Sequence, residues 1–246
     1  MNDKRIQRVR HELKSREVTV SAVRELAPNF VSVTFKGESL HDFVSSSYDD
    51  HVKFILPDAA GERVMRDYTP RRYDQAAREL TLEFALHAQG AMSDWARQAA
   101  IGQQVVIAGP RGSMIIPTDY QWQILAGDAT ALPAIRRRLD ELPAGVDVQV
   151  LVSGEEAAAL HAAQGFAGAA GVSVSVRVLP TAEALVDAIR AMPLPQGDGF
   201  IWCAGEAQMA KQVRDILFVD KGFPREAARI SAYWKQGASA HHENLE

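Results

Sequence analysis

The feature that most constrains this chain is a change in its hydrophobic period near residue 117. Up to that point, apolar and polar residues alternate in short runs, a period of two that is typical of strands with one buried face. Beyond it, short apolar runs alternate with longer amphipathic segments of helical period. The chain is therefore predicted to form two domains, residues 1–117 and 118–246.

The first half is predicted to be an all-β domain. Residues 16–22 and 31–35 alternate, and turn residues separate them at Ala27-Pro28-Asn29. Further strand-like runs cover residues 52–56, 67–73, 80–86 and 104–108. Short strands at this spacing are typical of a sandwich or closed barrel, and we expect an antiparallel β-barrel of about six strands. The basic, polar residues 1–15 are expected to form a solvated arm or an edge segment.

The second half is predicted to be an α/β domain. Strands are predicted at residues 122–126, 146–152, 172–179, 200–204 and 229–234, and helices at 132–142, 155–164, 182–192 and 207–218. Such alternation indicates a Rossmann-like parallel sheet with crossover helices. Arg136, Arg137 and Arg138, in the first helix, are expected to form an exposed helix face, with a clamp for a 2′-phosphate as the alternative.

Composition limits the function. The net charge of −4 argues against a general nucleic-acid binder. No apolar run approaches the length of a membrane span, and the N-terminus lacks the apolar core of a signal peptide, so we expect a cytoplasmic protein without membrane insertion. The single cysteine, Cys203, excludes an intrachain disulfide framework and a cysteine-held iron–sulfur cluster. It lies in an apolar run, which favours an inert buried thiol.

A candidate flavin-binding segment, Arg66-Asp67-Tyr68-Thr69-Pro70-Arg71, lies in the first domain. As an extended segment it is expected to project an arginine, an aromatic ring and a hydroxyl to one face. These groups would neutralise a phosphate, stack on a flat ring and donate a hydrogen bond, which are the needs of a flavin nucleotide. The alternative is an ordinary strand with a tyrosine and a paired arginine.

A short helical pattern within residues 87–96 is a candidate phosphate site. The chain leaves a strand through Gly90 and enters the helix with Ser93 as the predicted N-cap. Because a helix start presents free amides, a pyrophosphate could bind there. The alternative is an ordinary capped connector helix.

Two strand-to-helix turns in the second domain are candidate nucleotide sites. Residues 127–130 end the first strand, and residues 204–207 end the fourth. Ligands of open α/β sheets bind at the carboxyl ends of strands. Gly127 is expected to let the backbone approach a ligand, and Thr130 to hydrogen-bond to it. Neither turn has the GxGxxG fingerprint, so each is a weak signal by itself.

Together these features resemble the ferredoxin–NADP reductase superfamily, in which a β-barrel with a flavin site precedes an α/β nucleotide domain. Within it, the chain closely resembles the siderophore-interacting protein family, the NAD(P)H-dependent ferric-siderophore reductases. The resemblance covers nearly the whole chain and depends on the order and spacing of its motifs: Asp49-Asp50-His51-Val52-Lys53, Arg66-Asp67-Tyr68-Thr69-Pro70, residues 87–96, Ala108-Gly109-Pro110-Arg111-Gly112, residues 127–133, Ala204-Gly205-Glu206 and Tyr233-Trp234-Lys235-Gln236-Gly237.

The resemblance implies roles for individual residues. FAD would be held by Arg66, Tyr68 and Thr69, with Tyr68 against the isoalloxazine and Thr69 near its reactive edge. The pyrophosphate of FAD would be held by His87, Gly90, Ala91 and Ser93. The nicotinamide nucleotide would be received by Gly127, Asp128, Thr130, Ala204, Gly205 and Glu206. The ferric siderophore would meet Lys53 and Arg111, which match basic positions of the family's pocket.

The implied activity is that of an FAD-dependent ferric-siderophore reductase, with no catalytic protein residue and no protein metal site. Siderophores bind Fe³⁺ through hard oxygen donors and hold Fe²⁺ far less well, so reduction releases the metal. A hydride carries two electrons whereas ferric iron accepts one, and a flavin converts between them. Two alternatives stay open: a general flavin or quinone reductase, and a siderophore-binding flavoprotein with little turnover.

The electron donor is expected to be NADPH or NADH. The carboxylates of Ser153-Gly154-Glu155-Glu156 would suit a ribose 2′-hydroxyl and hence NADH, but they are also ordinary partners of a helix dipole. The family resemblance favours NADPH. Tyr233 and Trp234 are expected either in the core or in a segment folded over a flavin, and the protein is expected to be a monomer.

Overall fold

The computed structural model describes residues 5–57, 61–86, 90–237 and 243–244, which fall into two compact units. The N-terminal unit spans residues 5–116, and the C-terminal unit begins at Pro117. Each unit has its own hydrophobic core. The antiparallel all-β fold expected for the first half and the α/β fold expected for the second are both confirmed.

The N-terminal unit consists mainly of antiparallel strands. They are β1 (Gln7–Arg10), β2 (Ser15–Ala27), β3 (Phe30–Lys36), β4 (Val52–Pro57), β5 (Arg63–Tyr68), β6 (Arg72–Asp74), β7 (Glu79–Ala85), β8 (Gln104–Ala108) and β9 (Gly112–Ile115), with helix α1 at Ala91–Arg97 and a 3₁₀ turn at Glu38–Leu40. Seven of these strands form one sheet in the order β5–β4–β8–β2–β3–β7–β6. β1, from the segment expected to be an arm or edge, pairs with β9 in a separate ribbon.

The seventh strand arises because the run expected as one strand, residues 67–73, is divided into β5 and β6. Pro70 cannot donate to a strand ladder, and the chain turns there. β5 and β6 lie at opposite ends of the sheet, yet a link of residues 69–71, at most about 14 Å long, joins them. The sheet must therefore curl strongly. Side chains from its two ends share one core, since the rings of Tyr68 in β5 and Phe84 in β7 are 4.4 Å apart. Closure into a barrel stays a prediction.

The C-terminal unit alternates strands with helices as expected. Its strands are β10 (Trp122–Gly127), β11 (Asp147–Ser153), β12 (Ser173–Leu179), β13 (Gly199–Glu206), β14 (Ala228–Trp234) and β15 (Glu243–Asn244), and its helices are α2 (Leu132–Glu141), α3 (Glu155–Gln164), α4 (Ala182–Ala191) and α5 (Ala207–Asp215), the last followed by a π-helical turn at Ile216–Asp220. The sheet order is β12–β11–β10–β13–β14–β15, parallel from β12 to β14. The chain moves outward from β10 in one direction and then returns to β13 on its other side. The carboxyl ends of β10 and β13 therefore flank the switch point, where open α/β sheets bind ligands.

The arginines of α2 correct the expectation of an exposed face. Arg137 and Arg138 are buried, and only Arg136 is half-buried. Arg138 donates from Nε to Gln123 Oε1 at 3.0 Å and from Nη2 to the carbonyl of Pro117. Arg137 donates from Nε to Glu141 Oε1 at 2.6 Å. A guanidinium can be buried where such acceptors satisfy it, and composition cannot reveal those acceptors.

In the part of the chain that the structure describes, no helix combines the length and the apolar character needed to cross a membrane.

Candidate nucleotide and chelate sites

The candidate flavin segment begins in β5 and continues into the link before β6. Arg66 and Tyr68 are two positions apart in β5 and share a face, as expected. Thr69, however, lies just beyond the strand and is buried. The expected alignment of three groups on one face therefore holds for two of them, because Thr69 directly follows Tyr68 and strand alternation points consecutive side chains to opposite faces.

The Arg66 side chain is available for a ligand. Its Nη1 donates to the carbonyl of Met65 at 2.8 Å, and it has no carboxylate partner among the described residues. The alternative of an arginine paired within the strand is thus not what the structure has. Four further N–H donors of the guanidinium are left for an anion.

Tyr68 combines a packed ring with a protonated hydroxyl. Its ring packs edge-on against Phe54, at 5.8 Å, and at a tilt of 43° against Phe84. Burial raises the pKa of the Tyr68 phenol well above its ordinary value of 10, and the Arg66 charge lowers it only in part. The hydroxyl therefore stays a hydrogen-bond donor at any physiological pH, on a ring that is held in place and still partly exposed.

The helix α1 begins at a glycine and not at the predicted serine. Gly90 is the N-cap, with φ 147°, and Ser93 is the third helical residue and buried. The prediction that Ser93 caps the helix is wrong, because the unusual backbone of Gly90 starts the helix earlier. His87 lies outside the described residues. The amide of Asp94 already donates to Gly90 O, at 2.9 Å, which leaves the amides of residues 91–93 without intrahelical acceptors.

These groups fit a flavin nucleotide. Among the described residues no side chain caps α1, and a Cβ added to Gly90 would meet none of their atoms within 4 Å. Trp95 anchors the helix from its other side, with its ring 4.7 Å from that of Phe54. The donor set thus offers a cation at Arg66, a ring and a phenol at Tyr68, and the amides of residues 91–93. Their roles in binding FAD stay predictions.

The two predicted chelate-binding cations differ in their surroundings. Lys53 in β4 stands opposite Asp67 in β5, and its Nζ lies 2.8 Å from the Asp67 carboxylate. Its charge is therefore partly neutralised, although its side chain is 47% exposed. Arg111, in the turn between β8 and β9, is exposed and has no ion pair with the described residues.

The two predicted nucleotide turns of the C-terminal unit lie side by side. Gly127 and Ala204 are partners in the β10–β13 register, at the switch point. A Cβ on Gly127 would overlap Ala204 O and the Cβ of Ala131. The glycine is thus required by close packing of the two strands. The approach of a ligand to this backbone stays a prediction.

Asp128 joins three segments at this edge of the sheet. Its Oδ1 accepts from the amide of Thr130 at 2.9 Å and from the Thr130 hydroxyl at 2.5 Å. Its Oδ2 accepts from the amide of Glu206 at 2.8 Å and from Trp234 Nε1 at 2.9 Å. A carboxylate has about four acceptor positions, and all are used. Asp128 is placed to organise the nucleotide edge, and contact of its carboxylate with a nucleotide stays a prediction.

Glu206 has a similar internal role. Its Oε2 caps α5 by accepting from the amides of Gln208, at 2.5 Å, and Met209, at 3.2 Å, and its Oε1 accepts from the amide of Gln236 at 3.4 Å. Gly205 beside it must be a glycine, because a Cβ would overlap the Asp128 carboxylate. The segment of Trp234 and Gln236 is thereby fixed to the carboxyl edge of the sheet, and the Trp234 indole is 38% exposed there.

The carboxylates considered as readers of a ribose lie at the neighbouring strand end. Glu155 and Glu156 form the first turn of α3, directly after β11, and Glu155 is exposed. No side chain of the described residues caps this helix, and its two negative charges at the start complement the helix dipole. Cys203, in β13, is buried as expected; burial first, and then the Asp128 charge, raise the pKa of its thiol.

Sequence reasoning missed the hydrogen bonds that hold these sites together. Asp128 and Trp234 are 106 positions apart, and no local pattern links them. A local signal did exist for the turn itself, since an aspartate after a strand with a threonine two positions later is typical of a side-chain cap.

Comparison with known proteins places the chain in a family. The siderophore-interacting protein model matches residues 120–237, and the siderophore-interacting FAD-binding domain model matches residues 19–64 and 58–114. The chain is 34% identical over 253 residues to an NADPH-dependent ferric-chelate reductase of Escherichia coli, covering 93% of this chain and 96% of that protein. The chain belongs to the siderophore-interacting protein family.

Two further proteins show how far the likeness extends. The ferric vibriobactin reductase ViuB of Vibrio cholerae is 29% identical, over 89% of both chains. The crystal structure of a siderophore utilization protein from T. fusca is 30% identical and covers 98% of both chains, with a TM-score of 0.85. Both units of the chain thus follow the plan of the family.

Proposed function

We propose that this chain is an FAD-dependent ferric-siderophore reductase that takes its electrons from NADPH. One observation carries the proposal: the chain aligns over 93% of its length with an NADPH-dependent ferric-chelate reductase. The match to an FAD-binding domain model and the donor set of the N-terminal unit support the same cofactor.

The residues of the N-terminal unit would hold the cofactor. When bound, FAD supplies the exchange between a two-electron hydride donor and a one-electron ferric acceptor. Arg66 would bind phosphate, and the amides of residues 91–93 would face the pyrophosphate, since both offer unused donors. Tyr68 would donate a hydrogen bond from its protonated hydroxyl and present its ring for stacking. Thr69 would add a hydroxyl beside it.

The residues of the C-terminal unit would receive the nicotinamide nucleotide. Thr130 and the turn of residues 204–206 stand on either side of the switch point. Asp128 holds both turns in one arrangement, so the site needs little reorganisation when the nucleotide binds.

Arg111 and Lys53 would attract the substrate. A ferric tris-catecholate carries three negative charges, and exposed cations raise the local concentration of such an anion and its association rate. Because Lys53 is paired with Asp67, Arg111 supplies the larger share. We place the reaction in the cytoplasm, where reduced nicotinamide nucleotides are available, and propose that the protein acts as a monomer.

Anaerobic stopped-flow absorbance of the FAD-loaded protein tests the proposal. The protein is mixed with NADPH or NADH, and then with a ferric tris-catecholate and a ferrous trap. We expect the flavin absorbance to fall with NADPH and to return as Fe²⁺ appears. A general reductase would respond to quinones and poorly to iron chelates. A carrier would bind the chelate while neither nucleotide bleached the flavin.

A further inference from the structure

The turn that carries Arg111 is held by the N-terminal segment of the chain. The amide of Gly109 donates to Lys14 O at 2.9 Å, and the amide of His11 donates to Arg111 O at 2.9 Å. The guanidinium of Arg16, which is buried, donates from Nη1 to Gly109 O at 3.3 Å. The backbone on both sides of Arg111 is therefore fixed by residues about a hundred positions away.

A chain of side-chain hydrogen bonds continues from this turn into the protein. Ser113, two residues after Arg111, is buried, and its Oγ lies 2.6 Å from Asp50 Oδ2 and 2.8 Å from His11 Nε2. The amide of Ser46 also donates to Ser113 Oγ, at 3.1 Å. A carboxylate only accepts, so the single proton of Ser113 goes to Asp50. His11 Nε2 must then carry the proton that it shares with Ser113.

Asp50 is a rigid end point for this chain. It is 3% exposed, and its Oδ2 also accepts from Ser45 Oγ at 2.9 Å and from the amide of Ser47 at 3.1 Å. Asp50 stands three residues before Lys53, the other candidate chelate cation. A buried carboxylate with several donors is strongly constrained, because leaving any of them unpaired is costly.

We propose that the His11–Ser113–Asp50 chain positions Arg111 for an anionic ferric chelate, so that these three are positioning residues for substrate binding. The proposal rests on the proposed function. An exposed arginine has many rotamers, and its attraction for an anion depends on where its backbone holds it. The N-terminal segment, expected from the sequence to be a solvated arm, then becomes a part of the substrate site.

Equilibrium binding to the FAD-loaded protein tests this without turnover. The probes are gallium(III) tris-catecholate, a trianion, and gallium(III) tris-acetohydroxamate, which is neutral; neither is reduced as a ferric complex is. Dissociation constants are measured by tryptophan fluorescence for Ser113→Ala, His11→Ala and Arg111→Ala. The matched control is Ser45→Ala, which removes a different donor, the Ser45 hydroxyl, from the same carboxylate.

We expect Ser113→Ala and His11→Ala each to weaken binding of the trianion about three- to tenfold, with less than a twofold change for the neutral chelate and for either chelate in Ser45→Ala. In the Arg111→Ala background the effect of Ser113→Ala should vanish, since the two act through one interaction. Equal losses for both chelates, or additive losses in the double variant, would overturn the proposal. If Ser113→Ala does not fold, His11→Ala decides by the same criteria.

These outcomes separate the inference from the proposed function. If Arg111→Ala leaves the dissociation constant of the trianion unchanged, the positioning role is wrong, whereas ferrous release in the stopped-flow experiment can still support the reductase. If Arg111→Ala weakens binding of the trianionic chelate and not of the neutral one, but neither nucleotide bleaches the flavin, the positioning role stands and the proposed reductase activity is wrong.

Discussion

At the scale of the residue, Asp67 decides how much of the Lys53 charge reaches a substrate. The two side chains are opposite each other in β4 and β5, and the ammonium lies 2.8 Å from the carboxylate. Lys53 is half exposed, and Asp67 is mostly buried, with a side chain 18% exposed. Lys53, which the sequence predicts as a chelate-binding cation, therefore has the counter-charge of Asp67 beside it.

Asp67→Asn should strengthen binding of a trianionic chelate, because it releases the charge of Lys53 while keeping the shape of the side chain. We expect the dissociation constant to fall about two- to fivefold, on the order of 1 kcal/mol or less for a partly exposed pair. Fluorescence titration with gallium(III) tris-catecholate measures it. In a Lys53→Ala background the same substitution should give a smaller gain, because it then removes only the repulsion by Asp67 itself, and an equal gain there would contradict the explanation.

Asp42 provides a prediction for acid stability. Hydrogen bonds from Lys14 and then Arg16 lower the pKa of Asp42 to about 2, from an ordinary value of 3.8. A lowered pKa stabilises the folded state above the unfolded-state pKa, and this stabilisation is lost as the pH falls through the folded value. The wild type should thus lose its advantage over Asp42→Asn between about pH 4 and pH 2. Urea unfolding at a series of pH values measures the difference, which should be constant from pH 5 to 7.

At the scale of the element, two different features orient the short helix α1: the glycine at its start and the tryptophan on its packed face. Gly90 begins it with a backbone conformation that favours glycine, and Trp95 fixes its other face among Phe35, Phe54 and Phe84. The glycine start leaves the first amides of the helix free. The packing of Trp95 fixes the direction in which they point. Neither the cap nor the direction could be read from the residue pattern, which favoured Ser93.

Gly90→Ala should weaken FAD binding at least about tenfold, since a side chain at φ 147° strains the backbone by about 1–3 kcal/mol and shifts the start of α1. The matched control is Gly102→Ala, which also has a positive φ, 92°, and open space around the added Cβ. Both variants should lose stability in urea unfolding. Only Gly90→Ala should raise the FAD dissociation constant in a fluorescence titration, and equal binding by both would refute a role for this helix start.

At the scale of the whole molecule, sequence patterns predicted the order and the type of the elements better than their connections. Period two and period 3.6 reflect local burial, so all five parallel strands and four helices lie within a few residues of their predicted positions. The split at Pro70, the buried Arg138 and the contact of Asp128 with Trp234 depend on partners far along the chain. Such pairings arise from tertiary packing, and no local period encodes them.

Saturating FAD should stabilise the wild type against thermal unfolding, because a ligand that binds only the folded state increases the free energy of unfolding. At a hundredfold excess over the dissociation constant the gain is about 2.7 kcal/mol. Arg66→Ala should reduce the shift in Tm at the same FAD concentration, whereas its Tm without FAD should stay close to that of the wild type, since Arg66 bonds only to the carbonyl of Met65 among the described residues. An undiminished shift in the variant would show that Arg66 does not bind the cofactor.

The link of residues 69–71 has a consequence for how the chain folds. β5 and β6 are consecutive in sequence, yet each must reach its own end of the seven-stranded sheet before the link between them has its final shape. β5 pairs with β4 and β6 with β7, each with its neighbour in sequence, whereas the sheet between them depends on pairings of distant strands, β4 with β8 and β2 with β8. Such pairings form late, because the loops that separate the strands must close first. The link from β5 to β6 should thus reach its final shape only after those distant pairings have formed. Capture of the flavin would then mark the completion of folding, and a nascent chain stalled earlier would have no means of retaining it.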